Sequence, residues 1–458
     1  MNSSVGVRDP QGVIDENPMG IRQGIVVALM IALNALDGFD VLSSAFASVG
    51  ISKEWGIDRE ALGIVLSAEL VGMGVGSVLL GGMADRFGRK LTMLACLVVM
   101  AIGMYLAHAA QAVAPITAWR FITGIGIGGM LAATNAVVAE STSQSGRSLS
   151  MALYVIGYPL GGVFGGIAAK EWLLVYYDWR AVFLFGAACT AVMIPLVMLL
   201  VPETPAFYAA RRPEGAVERI NRSLKALGKP LISALPAISP TAARPKVSDI
   251  LTNPKLRPVT LLLAFGYMFH TITFYFILKW AVKIVADYPP GYSQPDASSV
   301  LLWANVGGAL GGFLFGFLMK RWQIKAPTIA MLALGVIAVI WFGTGHPTLL
   351  GWRAAASFAM FATNAAIVGF YAAFALGFPA YARATGTGFV LGIGRFGAAG
   401  SPIIAGFLFK TLGNDQLLAV SAIMSLGSAI ALILFALLPL QDADKLGLEE
   451  MPAGEPLD

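Results

Sequence analysis

The chain has 458 residues, of which 57% are hydrophobic and only 12% charged, with a mean hydropathy of +0.74. A soluble protein of ordinary composition carries about 25% charged residues, so this composition excludes a soluble enzyme or regulator and points to a polytopic membrane protein. The net charge of +5 and pI near 9.1 do not mark a nucleic-acid binder, because the basic residues are dispersed through the loops rather than gathered on one patch.

The segment 1–22 is polar and lacks the basic, apolar and cleavage regions of a signal peptide. It is expected to be a cytoplasmic tail, with the first hydrophobic helix retained. A membrane-spanning helix needs about 20 apolar residues. Twelve runs qualify, near 24–48, 60–82, 91–112, 116–138, 149–172, 180–201, 258–283, 298–319, 327–345, 353–378, 385–409 and 416–439. They predict an all-α membrane protein with a six-helix bundle over 23–201, a basic cytoplasmic linker over 202–257, a second six-helix bundle over 258–440 and a cytoplasmic tail over 441–458. Placing the linker inside puts most of the 31 Lys and Arg on the cytoplasmic side, as the positive-inside rule requires. Both termini are then cytoplasmic. Within the linker, 206–227 has the pattern of one amphipathic helix.

The first span carries Asp37-Gly38-Phe39-Asp40. Residues three apart on a helix sit about 60° apart around the axis and roughly 4.5 Å apart along it, so the two carboxylates share a face. A charge at mid-bilayer costs at least about 2.5 kcal/mol, which makes an intramembrane acid a functional candidate by default. Two on one face repel, so one is expected to hold a proton near neutral pH. Glu69, in the middle of span two, is either a second titrating site or the partner of a neighbouring helix.

Span two ends in Gly81-Gly82-Met83-Ala84-Asp85-Arg86-Phe87-Gly88-Arg89-Lys90, and span eight ends in a degenerate copy, Gly316 to Lys325, with Lys320 at the aspartate position. Spans five and eleven also resemble each other, around Gly157-Tyr158-Pro159 and Gly400-Ser401-Pro402. Repeated six-helix halves are a transporter architecture. Arg120 in span four and Arg395 in span eleven are the arginines placed inside spans. Each must face a partner or a cavity, and a guanidinium matches a carboxylate in a bidentate way. One could hold an acid substrate while another pairs with Asp37 or Asp40; the alternative is a structural ion pair. Glu140, at the end of span four, is within reach of Arg86 or Arg89 and is expected to form a gate latch. The run Gly124-Ile125-Gly126-Ile127-Gly128-Gly129 imitates a dinucleotide loop but lies inside a span, where small residues serve helix contact.

Span seven is rich in aromatics, among them Tyr267, His270, Phe274, Tyr275 and Trp280. Tyr275 and His270 are candidate pocket residues for an aromatic ligand, as are the mid-span amides Asn305 and Asn364. Lys279, near the outer end, reads as a snorkelling cation. Cys96 and Cys189 lie inside apolar runs, and the three histidines are scattered, so no disulfide framework, metal site or cofactor is expected. No nucleophilic triad supports an enzyme.

The Gly81 to Lys90 stretch resembles the loop 2–3 signature of the major facilitator superfamily. Asp37-Gly38-Phe39-Asp40, Trp119-Arg120 to Gly129, and Arg383-Ala384-Thr385-Gly386 with Gly394-Arg395-Phe396 together resemble its aromatic acid:proton symporter branch. The resemblance implies transport roles for Asp37, Asp40, Arg120, Arg383 and Arg395, and gating roles for Asp85, Arg86, Arg89, Glu140 and Arg383. It implies a monomeric, multi-pass protein of the bacterial cytoplasmic membrane, with the proton as coupling ion and a small aromatic carboxylate as substrate. A non-aromatic acid such as a muconate or dicarboxylate is the alternative substrate, and a non-transporting sensor the alternative class.

Overall fold

The computed structural model describes residues 9–236, 246–319, 323–379, 382–413 and 415–439, without the side-chain surroundings at 81 and 384. Lys320 and Arg321 of the second loop signature, part of the basic linker and the tail 441–458 lie outside the described residues.

Among the described residues twelve helices are long and apolar enough to cross a membrane. In chain order they are α1 (Ile21–Trp55), α2 (Arg59–Phe87), α3 (Arg89–His108), α4 (Val113–Ser141), α5 (Gln144–Tyr176, with a π-turn at Ala169–Leu173), α6 (Arg180–Leu200), α7 (Leu256–Asp287), α8 (Gln294–Leu318), α9 (Lys325–Gly343), α10 (Leu349–Gly377), α11 (Arg383–Leu412) and α12 (Leu417–Ala436). The predicted twelve spans are all present. Their ends follow local chemistry: Ser143, Ser293 and Thr348 cap α5, α8 and α10 by accepting from backbone N–H groups.

The chain forms two compact units, one of residues 1–47 and 68–239, the other of 48–67 and 240–458. In the first, glycines bring helices to backbone contact. A side chain at Gly157 or Gly161 of α5 would run into the carbonyls of Ile31 or Ala35 on α1, and one at Gly72, Gly76, Gly124 or Gly128 would collide with the facing backbone across the α2–α4 seam. All four glycines of the Gly124–Gly129 run therefore serve helix packing, against α2 and α3.

In the second unit, Gly307 and Gly311 of α8 press on the carbonyls of Ser357 and Phe361 of α10. These stand 235 residues after Gly72 and Gly76, the same offset that relates Gly81 to Gly316. The internal repeat is thus written into the packing as well as the loops. The segment 48–67 joins the second unit because Arg59 bonds Asp287 at 3.1 Å and lies over the Phe409 ring, Lys410 pairs with Glu60, and Gly63 abuts Pro402.

The linker departs from the single helix expected over 206–227. It forms two, Pro205–Arg211 and Ala216–Leu227, broken where Arg212 adopts φ 46° and Pro213 follows. The second buries Ile220, Leu224 and Leu227. Lys229 ties it to the N-terminal segment by donating to the carbonyls of Pro18 and Asn17.

Candidate functional site

In the first unit α1 carries Asn34, Asp37 and Asp40 at helical spacing, all buried. The wall around them is thin: Gly38 meets the Tyr158 backbone, Gly165 meets the Phe39 ring, and Gly186 of α6 meets Met104, Phe39 and the Asp40 carboxylate. Asn34 donates to the Tyr154 carbonyl at 2.7 Å. Among the described residues the carboxylate oxygens of Asp37 and Asp40 find no hydrogen-bond donor, and the two groups act on each other electrostatically. Charge there is expensive unless a proton or a counter-ion neutralises it.

One turn away lies a network of the opposite kind. Arg120 of α4 and Glu69 of α2 form an ion pair in which both side chains have 0% exposure. Ser44 of α1 joins them, donating to Glu69 at 3.2 Å and accepting from Arg120 Nε at 2.9 Å. Arg120 Nη2 donates to the Asp40 carbonyl at 2.6 Å, Nη1 lies on Met104 Sδ, and the guanidinium sits 5.4 Å from the Phe183 ring centre. The expectation that Arg120 would either grip substrate or pair with an α1 carboxylate is therefore redirected. Its ion-pair partner is Glu69; it donates to the Asp40 backbone oxygen and also acts electrostatically on the Asp40 carboxylate. The signal was present in the numbers. Glu69 lies ten residues into α2 and Arg120 seven into α4, helices that start on the same face. The α2–α4 glycine seam then makes contact unavoidable.

In the second unit the repeat places alanines, Ala304 and Ala356, where the first has Glu69 and Arg120, and both are fully buried. Its polar groups gather on other helices. His270 of α7 is buried, stacked on Phe370, and both ring nitrogens are engaged, Nε2 with the Thr363 carbonyl at 2.8 Å and Nδ1 with Ser428 Oγ at 3.0 Å. A carbonyl only accepts, so Nε2 carries the proton and Nδ1 accepts from Ser428. His270 thus braces α7 against α10 and α12. This leaves it no ring nitrogen for a ligand, contrary to its place among the pocket candidates.

Asn364 donates to the Gly308 carbonyl at 2.7 Å and links α10 to α8, while Asn305 donates to Leu301 within its own helix. Lys279 is fully buried, not snorkelling at a surface. Arg395 is half-buried on α11 and lies within electrostatic range of the Tyr267 hydroxyl. That hydroxyl meets Tyr371 at 3.3 Å, and Tyr275 is close enough to act on it. Gly394 gives the Tyr267 ring its room. The result is a cluster of one guanidinium and three phenols, of which Tyr275 was singled out from sequence and Tyr371 was not.

On the linker face of the first unit the loop signature forms a latch. Arg89 bonds Glu140 at 2.9 Å and Asp85 at 3.0 Å, and donates to the Ala84 carbonyl. Glu203, between α6 and the linker, accepts the backbone N–H groups of Arg89 and Lys90 at 2.9 and 3.1 Å, placing an acid at the N-terminus of α3. Burial raises the Glu203 carboxyl above its ordinary value, opposed by these backbone donors. Gly88, with φ 106°, is the residue that lets Glu203 approach. Sequence reading missed Glu203 as a structural anion, although Pro202-Glu203-Thr204-Pro205 marked the span end. Arg86 lies over Phe87, and Arg383 is exposed at the start of α11.

Comparison with known proteins gives the family. Residues 27–362 match the model of the Major Facilitator Superfamily. The gallate transporter of Pseudomonas putida is 29% identical over 440 residues, covering 92% of this chain and 95% of that protein. The 4-hydroxybenzoate transporter PcaK of the same species is 29% identical over 399 residues, covering 85% and 87%. Among solved structures, the partially occluded inward-open xylose transporter XylE of E. coli superposes with a TM-score of 0.69 at 14% identity, over 92% of this chain and 98% of that one. The chain is a multi-pass membrane transporter, not an enzyme, and it belongs to the Major Facilitator Superfamily.

Proposed function

We propose that the chain is a proton-coupled symporter that imports a small aromatic carboxylate, of the hydroxybenzoate, protocatechuate or gallate kind, across a bacterial cytoplasmic membrane by alternating access. The observation that carries the reading is the contrast inside the first unit. Among the described residues Asp37 and Asp40 are buried without a hydrogen-bond donor, whereas Glu69 and Arg120 beside them satisfy each other. A fully bonded ion pair is a poor proton carrier. Two acids without donors are a good one, since taking up a proton removes the buried charge.

The substrate carboxylate goes to Arg395. Arg120 has Glu69, Ser44, Met104 and a backbone carbonyl on its nitrogens already. Around Arg395 the phenols of Tyr267, Tyr275 and Tyr371 offer aromatic faces and hydroxyls suited to a ring-bearing acid. The names of the gallate and 4-hydroxybenzoate transporters support the same class. The Asp85–Arg89–Glu140 latch, with Arg86 and Arg383, serves gating on the cytoplasmic face.

The test is uptake of labelled 4-hydroxybenzoate and gallate by cells producing the protein, with and without a protonophore. Accumulation above an empty-vector control that collapses with the protonophore supports both coupling and class. Accumulation of muconate or a dicarboxylate instead, with neither aromatic acid taken up, overturns the substrate class. Binding without flux makes the protein a sensor.

A further inference from the structure

Beyond transport itself, we infer that the linker face of the first unit holds a binding site for the phosphate headgroup of an anionic phospholipid. The site is a groove of about 750 Å3 between the α2–α3 turn and the two linker helices. Four cations line it: Arg86 from the last turn of α2, Lys90 from the first turn of α3, Arg211 from Pro205–Arg211 and Arg219 from Ala216–Leu227.

Two cations near the groove or on the same unit do have acid partners, Arg89 with Glu140 and Arg147 with Asp15. None of the four in the groove is ion-paired among the described residues. Lys90 Nζ donates to the Met198 carbonyl at 2.7 Å, Arg211 Nε donates to the Asp85 carbonyl at 3.0 Å, and Arg219 lies 6.0 Å from the Tyr208 ring centre. The acid in the groove, Glu203, directs its oxygens to the backbone N–H groups of Arg89, Lys90 and Thr204. It caps α3 and acts electrostatically on Lys90 and Arg89 without forming an ion pair in the groove. Four positive charges around one acid leave the groove suited to an anion with several oxygens.

The position of the groove selects a lipid over a soluble phosphate. Arg86 and Lys90 end two spanning helices, so the groove lies at headgroup depth. Its lateral wall is apolar and open, with Leu91 56% exposed and Phe87 48% exposed, and Leu199 beside the Lys90 anchor is 76% exposed. A diacyl phosphate can lay its chains on that wall. A soluble phosphate gains nothing from it.

The test uses the full chain, purified in detergent and stripped of lipid, titrated with micelles carrying phosphatidylglycerol or phosphatidylcholine and read by native mass spectrometry and thermal unfolding. Phosphatidylglycerol is expected to be retained saturably and to raise the unfolding midpoint, and phosphatidylcholine to do neither. Each basic residue near an anionic surface contributes about a fivefold factor, so Arg211→Gln with Arg219→Gln is expected to weaken retention roughly 30-fold. Arg222→Gln, exposed on the same linker helix and outside the groove, is expected to leave it unchanged. The single Arg219→Gln, a change at an exposed surface position, gives the same reading at about fivefold if the double variant is misfolded. Equal retention of phosphatidylcholine, or wild-type retention by the substituted chains, overturns the site. Full displacement of the lipid by inorganic phosphate or glycerol phosphate assigns the groove to a soluble anion and overturns the lipid.

Discussion

A buried guanidinium needs a partner at every nitrogen, and Arg120 has one: a carboxylate, a hydroxyl, a thioether and a backbone carbonyl take its three nitrogens. Removing one member of such a pair leaves the other charged and unpaired, which costs about 3–5 kcal/mol, whereas replacing both by apolar residues of similar volume is often close to neutral. The second unit already contains the apolar solution, since Ala304 and Ala356 stand at the equivalent positions. Glu69→Leu and Arg120→Leu are each expected to lower the thermal midpoint sharply, and the double substitution to recover most of the loss. A double variant as unstable as the sum of the singles would contradict the pairing. Asp37→Asn is expected to behave in the reverse way. It removes no hydrogen bond among the described residues, so stability should change by less than about 1 kcal/mol while protonophore-sensitive accumulation disappears. Full accumulation by that variant would remove Asp37 from coupling. The acids themselves were legible from sequence because charge inside an apolar run stands out. Their partners were not, because partner choice depends on how closely α2 and α4 approach, and that is set by glycine register rather than by the charges. His270 shows the same gap. An aromatic-rich span suggested a ligand, and the nitrogens went to Thr363 and Ser428 on α10 and α12. His270→Ala should therefore lower stability by about 2 kcal/mol while KM for the transported acid stays near wild type.

At the scale of helices, small residues and terminal charges decide the geometry. Gly161 of α5 lies so close to Ala35 of α1 that any Cβ would overlap its carbonyl oxygen. Backbone cannot give way as a side-chain tip can, so Gly161→Ala should reduce the yield of folded protein, while Gly82→Ala, at a position open to space, should not. The α3 terminus is held by Glu203, whose burial raises its carboxyl above the ordinary value of 4.5. An acid raised on folding means that the native state binds more protons than the unfolded chain. Stability then falls as pH rises from that ordinary value through the folded one. Thermal midpoints of the wild type should therefore drop across this interval, and Glu203→Gln should lack that component of the slope. An identical slope in both would place the titration elsewhere. The loop signature around Asp85 and Arg89 was readable because its residues are contiguous. The contribution of Glu203 was not, because it arrives from a span end more than a hundred residues away. The linker helix was overextended for a local reason: its amphipathic period runs through Arg212 and Pro213, but the backbone does not.

For the molecule as a whole, hydropathy alone was sufficient to delimit twelve spans, since each must cover the hydrocarbon thickness with apolar residues. The assignment of 48–67 to the second unit was invisible at that level. It rests on Arg59–Asp287 and Glu60–Lys410, pairs separated by 228 and 350 positions. Sidedness is the remaining whole-molecule property, and it follows from charge. The connections at the linker face carry Arg86, Arg89, Lys90, Arg147 and the linker cations, whereas the turn at Gly413–Gln416 carries Asp415 and no base. Basic residues flanking spans are retained on the cytoplasmic side, so Glu218 is expected inside and Asp415 outside. Both are exposed, so each can report. In a background with Cys96→Ala and Cys189→Ala, a cysteine introduced by Asp415→Cys is expected to react with a membrane-impermeant maleimide added to intact cells. One introduced by Glu218→Cys should react only after the cells are opened. Labelling of Glu218→Cys from outside would invert the topology and with it the direction of the transport proposed above.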